Sequence, residues 1–117
     1  MGLTYVEGQL IGRDNVSETV KFLVDSGASY TLLPKTAWEK LELKPKKKLN
    51  FTLADGTEIE RGISECYIKI LDEEGHTPVI LGEENDDALL GVITLEIFGL
   101  ILNPFTRTLQ PMQLRLA

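Results

Sequence analysis

The chain has 117 residues, 43% of them hydrophobic and 26% charged, and carries a formal net charge of −6. That composition suits one folded domain spanning residues 1–117 and argues against disorder. The excess of acidic over basic residues disfavours nucleic acid as a partner, because phosphate binding draws on clustered Lys and Arg.

One cysteine, Cys66, excludes an intrachain disulfide, and one histidine, His76, leaves too few ligands for a Cys/His metal site. The same shortage weakens Ser-His and Cys-His nucleophilic chemistry. Chemistry is therefore expected to run on carboxylates, with no cofactor and no metal. Residues 1–12 have neither a basic start nor an apolar run, so no leader is expected. The longest apolar stretch, 89–102, is broken by Thr94 and Glu96 and is too short to span a bilayer. These features predict a soluble, cytoplasmic protein with no membrane contact.

Taken along the chain, residues 3–11 are half-apolar and suggest a strand. Arg13, Asp14 and Asn15 suggest a turn, since Asp and Asn tolerate left-handed backbone. Residues 19–25 form the best strand, with Val20, Phe22 and Val24 alternating against Lys21 and Leu23. Residues 30–33 resume an extended run. Pro34 suits the first position of a helix, predicted over 35–41 with Trp38 and Leu41 on one face. Residues 44–48 read as a solvated basic loop.

Residues 49–53 and 57–62 flank Ala54, Asp55 and Gly56, and Asp-Gly between strand-like runs predicts a hairpin. A strand follows over 63–71, a turn at 72–75, and another strand over 77–81. Pro78 places that strand at an edge or at its own start. Residues 82–87 form an acidic loop. A short apolar helix is expected over 93–98, with Gly99 as its stop. Residues 100–102 and 108–116 give a last strand, a turn and a terminal strand. The sum is mainly β with two short helices.

The strongest signal is Asp25-Ser26-Gly27-Ala28, directly after an apolar strand. The strand holds the carboxylate on a rigid element. Ser26 can bond locally, and Gly27 allows a tight bend and close approach of another chain. Alone, the tripeptide is also ordinary turn chemistry. Its context is more specific. Gly91, closing Leu89-Leu90-Gly91, lies 66 residues after Asp25 and opens the short apolar helix, and the Asp55-Gly56 hairpin lies between. This order resembles the retroviral-type, or retropepsin-like, aspartic proteases, and most closely their small single-domain members outside retroviruses. There an Asp-Ser/Thr-Gly-Ala motif follows an apolar strand, then come a flap hairpin and an apolar pair plus glycine before a helix. The resemblance runs from about Val20 to Leu102. Two features depart from it: the flap tip carries one glycine and one acid, and residues 1–15 have no counterpart to the viral dimer strand.

The resemblance implies a closed, mainly antiparallel acid-protease barrel with one lobe per chain. It implies Asp25 as catalytic residue, an active-site loop of Ser26, Gly27 and Ala28, and a flap of Leu53, Ala54, Asp55, Gly56 and Thr57. Ser26 would brace the partner's catalytic loop and Gly27 would contact substrate backbone. Leu89, Leu90 and Ile93 would be core and pocket wall. Hydrolysis without metal or covalent nucleophile needs one group to deprotonate water and another to polarise the amide. The chain has one Asp-Ser-Gly, so the expected site is an Asp25 pair across a homodimer acting on a peptide or protein substrate. The rival reading is a catalytically silent retropepsin-fold module that dimerises or binds peptide by strand addition. His76 reads as a surface residue, Glu83, Glu84, Asp86 and Asp87 as a solvated loop, Cys66 as a half-buried strand residue and Trp38 as a core anchor.

Overall fold

The computed structural model describes residues 3–113. Nine strands and two short helices follow in order: β1 (Tyr5–Ile11), β2 (Ser17–Val24), β3 (Thr31–Leu33), α1 (Lys35–Lys40), β4 (Lys47–Thr52), β5 (Glu58–Ile70), β6 (Glu73–Leu81), β7 (Leu89–Leu90), α2 (Val92–Ile97), β8 (Leu100–Asn103) and β9 (Thr108–Pro111). The protein is mainly β, as expected from the alternating runs and frequent turns.

Seven strands form one sheet in the order β1-β2-β7-β3-β6-β5-β4, and β1 also pairs with β5 through Gln9–Lys69, Leu10–Ile68 and Ile11–Tyr67. Most pairings in the sheet are antiparallel, and two are parallel: β2 with β7, and β3 with β6. The core consists of the inward-facing alternate residues. Leu10, Phe22, Leu33, Ile68, Ile70, Val79 and Leu90 are wholly buried, each stabilising the fold by roughly 1.5–3 kcal/mol relative to exposure.

Several local expectations shift. The turn expected at 72–75 is a tight connection at Leu71 and Asp72, because Ile70 pairs with Glu73 and Lys69 with Glu74. Leu71 takes the left-handed conformation there, φ 55°, and the Tyr67 hydroxyl donates to Glu74 Oε1 across the strands at 2.7 Å. The two runs expected at 57–62 and 63–71 are one thirteen-residue strand, β5. The basic loop ends early, since Lys47 and Lys48 already belong to β4. Pro78 lies inside β6, one residue before pairing with β3 begins at Val79. Pro34 is the N-cap of α1 rather than its first residue. Cys66 is fully buried rather than half-buried, and burial pushes its thiol up to about 12. The Arg13–Asn15 turn is as expected, with Asp14 and Asn15 both at positive φ. Trp38 anchors α1, its indole N–H donating to the Gly82 carbonyl at 2.8 Å.

Candidate active site

The site is built where β7 threads between β2 and β3. Leu89 pairs with Leu23 on one side and with Leu32 on the other. The chain from β2 to β3 must therefore arch over β7, and residues 25–30 form that arch. Asp25 is the first residue beyond β2. Its N–H donates to the Leu90 carbonyl at 3.0 Å, so the end of β7 fixes its backbone. Its side chain is half-buried, and Oδ1 accepts the Gly27 N–H at 2.9 Å. The Ala28 N–H donates to the Asp25 carbonyl at 3.1 Å and completes the turn. Ser26 and Gly27 are exposed at the top of the arch, and Ala28 is half-buried. A Cβ on Gly27 would sit 3.3 Å from Asp25 Oδ1 and crowd the carboxylate.

Helix α2 supports the arch from beneath. The first N–H groups of a helix lack intrahelical partners. Here the Val92 N–H donates to the Ala28 carbonyl at 2.8 Å and the Ile93 N–H to the Ser29 carbonyl at 3.0 Å. Gly91 makes this fit possible, since a Cβ there would lie 2.5 Å from the Tyr30 carbonyl carbon and oxygen. Leu89-Leu90-Gly91 thus contributes a strand wedge and a close backbone contact. Leu90 is wholly buried and Leu89 half-buried.

A buried hydroxyl chain secures the same junction. The Gly91 N–H donates to Thr31 Oγ1 at 3.1 Å, Thr31 Oγ1 lies 2.6 Å from Thr94 Oγ1, and Thr94 Oγ1 lies 2.7 Å from Thr77 Oγ1. All three threonines are at most 1% exposed. Their links tie β3, α2 and β6 together below the arch. Sequence reading did not find this chain; its one trace there is Thr94, which with Glu96 interrupts the short apolar helix.

The hairpin at Asp55-Gly56 forms as expected. Phe51 pairs with Ile59 and Thr52 with Glu58, while Gly56 adopts φ 87° at the tip, a conformation that disfavours side chains. Leu53, Ala54, Asp55, Gly56 and Thr57 are all exposed. The Thr57 N–H donates to Asp55 Oδ1 at 2.9 Å, and the Thr57 side chain, then its amide, hold the Asp55 carboxyl below the usual range. Leu49, Phe51 and Ile59 share one face of the hairpin and are half-buried. The Phe51 ring meets Tyr30 edge-on at 6.3 Å, which links the hairpin to the foot of the Asp25 arch.

The remaining candidates lie apart from the arch. His76 is exposed and packs edge-on against Tyr67. The acidic loop is closed by the Glu83 N–H donating to Asp86 Oδ2 at 2.7 Å. Among the described residues no cluster of His, Cys, Asp and Glu could hold a metal ion, and no helix is long and apolar enough to cross a membrane.

An arch bearing Asp-Ser-Gly over a threaded strand, with a hairpin reaching back to its foot, is the arrangement of a retropepsin-like aspartic protease. The solution structure of simian foamy virus (mac) protease has the same fold, with a TM-score of 0.59 over 79% of this chain and 91% of the viral one at 18% identity. Residues 15–96 match the family described as "gag-polyprotein putative aspartyl protease", and the chain belongs to that family. No curated protein matches it in sequence.

Proposed function

We propose that the chain is an aspartic endopeptidase whose single site forms between two copies, each contributing Asp25. The carrying observation is the hold on Asp25: a carboxylate at the end of a core strand, its N–H bound to Leu90 and its Oδ1 to Gly27. Two such groups about 3 Å apart across a two-fold axis cannot both ionise readily and share one proton, the general behaviour of aspartic dyads. The ionised partner takes a proton from water while the protonated one donates to the scissile carbonyl oxygen. The resulting titrations belong to the pair.

On this reading residues 1–117 are one lobe, and the β1–β5 pairing closes the sheet into a barrel. Exposed Ser26 braces the opposing loop, and Gly27 offers its backbone to an extended peptide. Residues 53–57 form the flap. Leu89, Leu90 and Gly91 hold the loop rather than react. The substrate is a peptide or protein segment in extended conformation.

Asp25→Asn removes the titrating oxygen at nearly constant volume. It should abolish cleavage of an unfolded protein substrate while leaving the circular dichroism spectrum and oligomeric state unchanged. A variant as active as its parent ends the proposal. A parent that dimerises and binds peptide but never cleaves it establishes the silent module instead.

A further inference from the structure

A split in the sheet opens a cleft that shares no lining residue with 25–30, 53–57 or 89–91. On one edge of β5, pairing with β4 stops at Lys47–Ile63, where the Lys46 N–H also donates to the Ile63 carbonyl at 2.8 Å. Pairing with β1 begins only at Ile11–Tyr67. Residues 64–66 therefore have no strand partner on that edge, while β6 pairs along the other. The chain leaving α1 borders the gap, and together they enclose an open cleft of about 1000 Å³. Ile11, Trp38, Leu41, Leu43 and Pro45 give it apolar walls. The Trp38 indole N–H is already engaged by the Gly82 carbonyl, so that ring offers the cleft only apolar surface. Ser64 and Cys66 lie buried on one face of β5 and form the floor. The Cys66 thiol donates to the Tyr67 carbonyl at 3.5 Å. Ser64 differs. It is 4% exposed, yet its hydroxyl bonds to no described residue, in contrast to the linked hydroxyls of Thr31, Thr94 and Thr77. No fully enclosed side-chain nitrogen or oxygen among the described residues lacks a partner, so the Ser64 hydroxyl meets only what the cleft admits.

The charges at the cleft balance. Arg13, Lys44 and Lys46 are matched by Glu39, Glu42 and Glu65, all exposed, and Lys46 pairs with Glu65 at 3.3 Å. Such a border favours neither an anion nor a cation. The volume fits the roughly 300–1,000 Å³ of small-molecule sites, which combine apolar walls with a few placed polar groups. A buried hydroxyl adds affinity only for a ligand able to hydrogen-bond it. We propose that this cleft binds a neutral, mainly apolar small molecule carrying one hydroxyl or carbonyl group. The apolar body packs against Trp38, Leu41 and Leu43, and the polar group bonds to Ser64. The site stands independently of the shared Asp25 reading, because neither the arch nor the flap contributes to it.

Titration of the full chain with β-naphthol, a neutral bicyclic probe with one hydroxyl, followed by amide proton–nitrogen NMR, tests it. The Trp38 indole N–H and the amides of Leu43 and Ser64 should shift saturably, and equally so in Asp25→Asn. Ser64→Ala should weaken β-naphthol binding by about fivefold and leave naphthalene, which has no hydroxyl, unchanged. Its urea midpoint should not fall, because the hydroxyl it removes has no partner in the chain, so the weaker binding is not a folding defect. Naphthalene sulfonate should bind at least about tenfold more weakly than β-naphthol, since a border of balanced charge does not offset desolvation of the anion. Shifts confined to 25–30 and 53–57, a sulfonate that binds as tightly as β-naphthol, or a Ser64→Ala protein with unchanged β-naphthol affinity overturns this site and leaves the shared Asp25 site standing. So does the absence of any shift at the solubility limit of the probe.

Discussion

Replacing Thr94 with valine keeps volume and branching but deletes the central hydroxyl of the Thr31–Thr94–Thr77 chain. Both contacts of that oxygen, at 2.6 and 2.7 Å, disappear. Each hydrogen bond contributes about 0.5–1.5 kcal/mol net, so the direct loss is about 1–3 kcal/mol. Thr31 and Thr77 stay at 0% and 1% exposure, so at least one hydroxyl loses a partner with no water to replace it. Leaving a buried polar group unsatisfied costs about 1–3 kcal/mol in itself. The two overlap, and a net loss of about 2–4 kcal/mol is expected, a large fraction of the 5–15 kcal/mol that typically separates folded from unfolded domains. Urea unfolding followed by Trp38 fluorescence measures it. The midpoint should fall with an unchanged slope, since little new surface is exposed. Thr94→Ser keeps the hydroxyl and should lose less. The loop held through Gly91 should loosen as well, so turnover should fall more than substrate binding. A Thr94→Val protein within about 0.5 kcal/mol of its parent would show that the hydroxyl chain supports nothing.

Gly91→Ala places a methyl 2.5 Å from the Tyr30 carbonyl. The arch or α2 must move, at about 1–3 kcal/mol or more, and cleavage should fall even in molecules that still fold; a crystal structure with an unshifted arch would contradict this. Cys66 has a thiol pKa raised in the fold from 9.0 to about 12. Its contribution is therefore complete below the unfolded value of 9.0 and is lost as pH rises through the folded value. Denaturant midpoints should decline over that window, less steeply in Cys66→Ala, and identical profiles would refute the assignment. Residues 51–61 should exchange amide hydrogens faster than 20–24 and gain protection when a statine-type inhibitor binds. A hairpin as protected as the core strand, or one indifferent to a bound inhibitor, is not a flap. Asp55→Asn should raise affinity for acidic peptides by removing a like charge at the tip, and unchanged binding would place Asp55 away from the peptide.

Much of this architecture was legible along the chain. Alternation at Val20, Phe22 and Val24 marked β2, Asp55-Gly56 marked the hairpin, and Gly99 marked the end of α2, where φ is 64°. Asp25-Ser26-Gly27-Ala28 with Leu89-Leu90-Gly91 marked the arch and its support. What escaped was non-local. The β1–β5 pairing joins residues nearly sixty positions apart, and no window of sequence contains both. The hydroxyl chain assembles from two strands and a helix, and single buried threonines have no distinguishing pattern. The turn at Leu71-Asp72 was obscured because Asp-Glu-Glu-Gly resembles turn chemistry, whereas cross-strand pairing to Lys69 and Ile70 draws Glu73 and Glu74 into β6. Lys47 and Lys48 looked like loop for a similar reason. Charge clusters favour solvent, but an exposed strand face satisfies that equally well, and Lys48 meets Glu60 across the hairpin at 3.6 Å. The expected terminal strand over 108–116 ends at Pro111, and residues 114–116 lie outside the described range.

The central claim, one site shared by two Asp25 residues, is tested most directly by mixing chains. Parent protein and Asp25→Asn are combined in equal amounts above the dimer dissociation constant, left to exchange, and assayed for peptide cleavage. Random pairing gives about half of the parent chains a variant partner. A shared dyad then predicts about half of the activity that the same parent chains show unmixed, falling further as the variant is added in excess. Activity that stays constant per parent chain, whatever the excess, would mean that each chain carries its own complete site and would contradict the account.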